Sequence, residues 1–203
     1  MNKDSILRSL QSFVVLPILA TNMLVLPAGT IMLPTARVSM TEQNGPLIET
    51  ITDNQQKTRI DTAKNIDTYF ANHDMPLEGT GMKMVIEAEK NNIDPYLIAA
   101  IAVRESTGGK HQCKSQASLG KVNPFGWGGC KLGFESYDAA IETVARNLGG
   151  NNPKTAHHYG DKSTIEKLEA YNPRTVVARY PEQVMDIMND MASLEFTSAE
   201  KSA

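Results

Sequence analysis

Tyr96-Leu-Ile-Ala-Ala-Ile-Ala-Val-Arg-Glu-Ser-Thr-Gly-Gly109 is the stretch on which the reading of this chain turns. Leu97, Ile98, Ile101 and Ala102 recur at helical spacing, and the same face, carried on by three or four positions, reaches Glu105. Asp94-Pro95 supplies an N-cap and a first-turn proline, and Ser106-Thr-Gly-Gly109 supplies the stop. A carboxyl that continues an apolar stripe is partly desolvated. Burial disfavours its charged form, so it holds its proton to higher pH and suits general acid work. The plainer alternative is a solvated glutamate at a helix end, and the surrounding sequence has to separate the two.

On either side of this helix the apolar pattern stays helical. Ile60, Ala63, Ile66, Tyr69 and Phe70 form one stripe, ended by Asn72-His-Asp74, and Met82, Val85, Ile86 and Ala88 form a second, closed by Asn91-Asn92. A further helix is expected over 136–148, with Ala140, Ile141, Val144, Ala145 and Leu148 inward and Gly149-Gly150 as its stop. Two more are expected over 163–170 and 181–194. On the last, Met185, Met188 and Met191 share a stripe with Val184 and Ile187 and read as core rather than as a copper site. The expected fold class is mainly α. His157-His158 reads as a surface turn after Asn151-Asn-Pro153, and Arg104 is expected on the other side of the helix from Glu105.

Between Gly109 and Ser136 the material changes. Asn123-Pro-Phe-Gly-Trp-Gly-Gly129 places the one tryptophan in a glycine-rich loop. Aromatic faces there suit the apolar faces of sugar rings, with Asn123 available to acetamido and hydroxyl groups; alternatively Phe125 and Trp127 plug the base of the loop. Cys113 and Cys130, the only two cysteines, flank it. An isolated pair in an exported chain reads first as a disulfide, which would contribute roughly 3 kcal/mol by constraining the unfolded chain. A zinc site drawn from His111, Cys113, Cys130 and His157 or His158 fits poorly, because His-x-Cys is not a usual ligand spacing.

Composition narrows the function classes. The chain has 203 residues, 20 basic and 23 acidic, with a net charge of −3 and no basic block, so a nucleic acid partner is not expected. Neither a repeat nor a glycine-rich phosphate loop stands out, and no cofactor or metal is called for. Lys3 and Arg8 precede the apolar runs Phe13 to Ala20 and Met23 to Leu33. That pattern reads as a signal or membrane-anchor segment over 1–40; Pro17, Asn22 and Pro27 favour a signal, with membrane attachment left open. Residues 41–57 are polar and read as a tether, 58–196 as the folded domain and 197–203 as a disordered tail.

Taken in order, helix-borne Glu105-Ser106, the Asn123-Pro-Phe-Gly-Trp-Gly loop and Phe134-Glu-Ser-Tyr-Asp-Ala-Ala-Ile141 resemble the lysozyme-like peptidoglycan hydrolases of the bacterial endo-β-N-acetylglucosaminidase kind. Ala170-Tyr-Asn172 followed by Tyr180-Pro-Glu-Gln-Val184 is similar to the Tyr-Asn and Tyr-x-x-x-Val elements of lytic transglycosylases. The resemblance spans about 65–194. The Gly-Leu-Met-Gln element of the transglycosylases is absent, so the bond cleaved and the product are not implied. What is implied is a lysozyme-like helical domain with a loop-rich or small β-hairpin insert after the catalytic helix, acting on peptidoglycan glycan strands in the cell envelope or outside the cell.

By the same resemblance Glu105 is the catalytic acid, Tyr171 the tyrosine beside it and Asn172 its partner. Ser106, Asn123, Phe125, Trp127, Tyr137 and Asn172 make up the expected glycan-contacting set. A hydrolase with two carboxylates would need a second one across the cleft; Glu135 is the candidate, while Asp138 and Glu142 read as a helix-start cluster. Transglycosylase-like enzymes can instead use one glutamate and the substrate's own groups. A noncatalytic glycan-binding module and an envelope scaffold are the readings from other classes.

Overall fold

The computed structural model describes residues 52–194, which fall in the compact unit Ile48–Ala203. The segment expected at 1–40, most of the tether expected at 41–57 and the tail expected at 197–203 lie outside the described residues. The described residues are mainly helical: α1 (Asp53–Asn72), α2 (Gly81–Lys90), α3 (Leu97–Ser106), α4 (Lys114–Ala117), α5 (Tyr137–Leu148), α6 (Ala156–Tyr159), α7 (Thr164–Tyr171) and α8 (Tyr180–Ser193). Where a hairpin was one expectation for the insert, the chain makes a single antiparallel bridge, Val122 with Phe134, inside a loop-rich segment.

Helix α1 begins at Asp53, inside the stretch read as tether. Thr52 Oγ1 accepts the N–H of Gln55 while the Gln55 side chain accepts the N–H of Thr52, a capping box that satisfies two orphan donors. Residues 53–58 are exposed, so this turn carries no apolar period from which it could be recognised. Ile60, expected in the first stripe, is 48% exposed; the buried face is Thr62, Ala63, Ile66 and Phe70.

Helix α3 occupies the centre. Every residue from Leu97 to Ala102 is fully buried, because a helix apolar on all sides must be enclosed on all sides. Its partners are α8 above all, then α2 and α5, while α1 packs on α2 and α8, and α7 on α8 and α6. Burying Leu97, Ile98 and Ile101 stabilises by about 2 kcal/mol each. Met188 and Met191 are buried in the core, as their stripe on α8 implied.

Solvent first reaches α3 in its last turn, where Val103, Arg104 and Glu105 are half-buried. The helix ends as Thr107 turns left-handed (φ 53°) and the Gly108 N–H returns to the Ala102 carbonyl. A side chain at Gly108 would run into Met75, and the Leu77 N–H donates to the Gly108 carbonyl, so the helix end is pinned to the loop before α2. At the other end, Asp94 accepts the N–H of Tyr96 in a turn ahead of the helix rather than capping α3 itself.

Candidate active site

Glu105 stands at the edge of the core with its Oε1 accepting a hydrogen bond from the Tyr180 hydroxyl at 2.6 Å. Burial pushes its carboxyl above the ordinary value. The Tyr180 hydrogen bond and the nearby Arg104 charge pull the other way without cancelling that rise. Tyr180 opens α8 and is fully buried; burial, and then the neighbouring Glu105 charge, drive its phenol far above the usual range, so it remains a donor.

Arg104 does not point away from this pair. Its guanidinium carbon lies 5.7 Å from the centroid of the Tyr180 ring, and its Nε donates to Gln183 Oε1 at 2.8 Å. Neighbours on a helix diverge by about 100°, but Arg104 is long enough to fold over the ring whose hydroxyl holds Glu105.

The opposite wall is the segment closed by the Cys113–Cys130 disulfide, whose Cα atoms are 5.5 Å apart. With both sulfurs bonded to each other, neither is a thiolate for the zinc site drawn with His111. Inside this segment the Asn123 side chain acts as a strut. Its Nδ2 donates to the carbonyls of Trp127 and Leu132 at 2.9 Å each, and its Oδ1 accepts the Trp127 N–H at 3.0 Å. Asn123 is 1% exposed, so it is spent on the loop and does not reach out to acetamido groups.

Ser106 is likewise internal: its hydroxyl donates to the Pro124 carbonyl at 2.6 Å and accepts the Gly109 N–H at 2.9 Å. Phe125 is fully buried and is the plug of the loop, with no ring face left for a sugar. Tyr137 accepts from Gln112 Nε2 at 2.9 Å, and Gln112 Oε1 in turn accepts the Asn123 N–H at 2.8 Å, making Tyr137 a support for the wall.

Gly126 brings this wall against the acid. It is left-handed (φ +60°), and a Cβ built on it would lie 3.3 Å from Glu105 Oε2. One carboxyl oxygen is therefore held by Tyr180 and the other is turned towards the loop.

Tyr171 donates its hydroxyl to the Phe125 carbonyl at 2.6 Å, so it fastens the loop to α7 and leaves the carboxyl contact to Tyr180. Its ring stacks on Tyr180 with centroids 6.1 Å apart and on the other flank meets Trp127 at 5.6 Å. Trp127 also reaches Tyr159 at 6.3 Å. Half-buried Trp127 and Asn172 keep surface for a ligand; Asn172 sits at the C-cap of α7, donating its N–H to the Leu168 carbonyl.

No second carboxylate is brought to Glu105 among the residues named for that role. Glu135, whose side chain is 82% exposed, pairs with Lys121 at 2.9 Å. Asp138 and Glu142 act on Lys83, to which Glu142 lies 3.7 Å distant. Tyr180 is the site residue missing from the expected set. Its signal was present in the Tyr180-x-x-x-Val184 element, but nothing local distinguishes a tyrosine that touches a carboxylate 75 residues away.

No known protein family matches this chain, and no curated protein or solved structure shows significant similarity to it.

Proposed function

We propose that this chain is an exported glycosidase with a lysozyme-like domain that cleaves β-1,4 linkages in peptidoglycan, with Glu105 as its one general acid. The observation that carries this reading is the half-buried Glu105 with a raised pKa, held through Oε1 by a buried tyrosine and facing an aromatic-lined loop through Oε2. With Oε1 accepting from Tyr180, the proton belongs on Oε2. It passes to the glycosidic oxygen as the bond to the anomeric carbon breaks and positive charge develops on the ring. The resulting carboxylate then takes a proton from the group that attacks the anomeric carbon.

With Glu135 tied to Lys121, the route favoured is the one in which the substrate's own acetamido or hydroxyl group completes the reaction. An oxidised Cys113–Cys130 pair suits an oxidising compartment and supports export. The same single carboxylate also favours one second reading, a glycan-binding module with the groove and no turnover.

Purified sacculi incubated with the wild-type protein and with Glu105→Gln, followed by mass spectrometry of the soluble fraction, test both. The amide keeps size and shape but delivers no proton, so wild type is expected to release muropeptides and the variant not to, a loss of roughly 10²- to 10⁴-fold. Anhydro ends on the products mark attack by the sugar's own hydroxyl, and reducing ends mark attack by water. Undiminished release by the variant overturns the mechanism, and binding without release by either protein selects the module.

A further inference from the structure

Arg104 is built into the site more firmly than a surface charge requires. It is half-buried, its Nε donates to Gln183, and its guanidinium carbon lies over the Tyr180 ring, so the side chain is held at two points. Among the described residues its terminal Nη1 and Nη2 groups have no hydrogen-bonding partner, and its charge acts on the Glu105 carboxyl without an ion-pair contact. The half-buried Arg59, by contrast, is held by a carboxylate, with its Nη2 on Glu89 Oε2.

A preorganised guanidinium with an open two-nitrogen edge is matched to a planar oxyanion, which it binds bidentately and at reduced entropic cost because the side chain is already ordered. It shares the Tyr180 ring with the acid, so an oxyanion seated on it lies beside the bond to be cleaved.

We propose that Arg104 forms a carboxylate subsite next to Glu105, which selects glycan strands bearing acidic peptide stems over neutral N-acetylglucosamine polymers. This rests on the glycan reading of the site and names the class of strand it takes. The chemistry separates the two substrates cleanly: stem peptides on alternate sugars carry free carboxylates, whereas a chitin-type chain carries none. A salt-dependent preference follows, since a partly exposed pair is screened.

The test is binding by Glu105→Gln protein, which keeps any substrate intact, to three probes: a peptide-bearing muramyl tetrasaccharide, the same tetrasaccharide with its carboxyls converted to methylamides, and chitotetraose. The carboxylate-bearing probe is expected to bind about ten-fold tighter than its amidated form in low salt, one charged hydrogen-bonding pair being of that order. Adding Arg104→Gln should reduce that ratio to near one, with Arg104→Lys intermediate because it keeps charge but loses the fork.

Equal binding of free and amidated probes by protein with Arg104 intact overturns the subsite whether or not any variant folds. A ratio that survives Arg104→Gln overturns the assignment to this residue. A protein that prefers the acidic probe yet releases nothing from sacculi keeps the subsite and loses the enzyme, whereas cleavage without preference does the reverse.

Discussion

Replacing Gly126 by alanine tests the packing of the loop on the acid most directly. Two costs can be separated. At φ +60° an L side chain is strained by roughly 1–2 kcal/mol, partly offset by the lower entropy that alanine brings to the unfolded chain, so a net loss of about 1 kcal/mol is expected. For a folded unit of this size that corresponds to a fall in melting temperature of roughly 2–6 °C.

The second cost falls on the chemistry. The new methyl group would stand 3.3 Å from Glu105 Oε2, closer than ordinary contact, and the carboxyl has little room to yield because Oε1 is bonded to Tyr180 at 2.6 Å. The methyl also stands against the oxygen proposed to carry the proton. Misplacement of a reacting group by fractions of an ångström to 1 Å costs roughly ten- to a hundred-fold in rate, more than the stability loss accounts for. Melting curves by circular dichroism, combined with initial rates of muropeptide release well below the melting temperature, separate the two effects. A variant that melts like wild type and cleaves at an undiminished rate would refute the placement of this loop against Glu105.

Tyr180→Phe removes the hydrogen bond to the charged form of Glu105, so the carboxyl pKa should rise further. The falling limb of the pH–rate profile, where the acid loses its proton, should then move to higher pH. Because the folded carboxyl keeps its proton where the unfolded one has lost it, stability is greatest below the unfolded value and declines as pH rises through the folded one; in the variant that decline should extend to higher pH, and a limb moving down would contradict the argument. Phe125→Ala should cost about 3–5 kcal/mol in denaturant titration, as expected for a fully buried ring, while Trp127→Ala should weaken glycan pull-down more than it lowers the melting temperature. The reverse pattern would exchange plug and platform. Cys113→Ser with Cys130→Ser should destabilise by roughly 3 kcal/mol, and the intact mass of the wild-type protein should rise by two hydrogens only after reduction; wild-type protein recovered with two free thiols would exclude the bridge.

The periodicity of 97–105 placed a buried helix and put Glu105 on the line of its apolar stripe, because side-chain direction along a helix follows from sequence spacing, but it left a solvated glutamate at the helix end open until the half-burial of Glu105 decided against it. The glycine stop after Leu148 and the isolated cysteine pair were legible for the same reason: each acts over a few residues or has one available partner. The start of α1 was not, since a capping box on an exposed turn leaves no apolar period. Asn123 in the loop and Ser106 at the end of α3 had the chemistry of ligand contacts and became struts, and of the two readings open for Phe125 the structure selects the plug, because burial is decided by what folds over a segment and not by its own composition.

The tertiary structure alone could assign the partner of Glu105. Tyr171 and Tyr180 are the same residue type, and the packing of α7 and α8 turns one hydroxyl to the Phe125 carbonyl and the other to the carboxyl. Arg104 came to the same ring by reach across α8, a path that local helix geometry does not contain. Local sequence therefore determined which groups stand on which faces, while contacts 46 to 79 residues apart along the chain decided which of those groups meet.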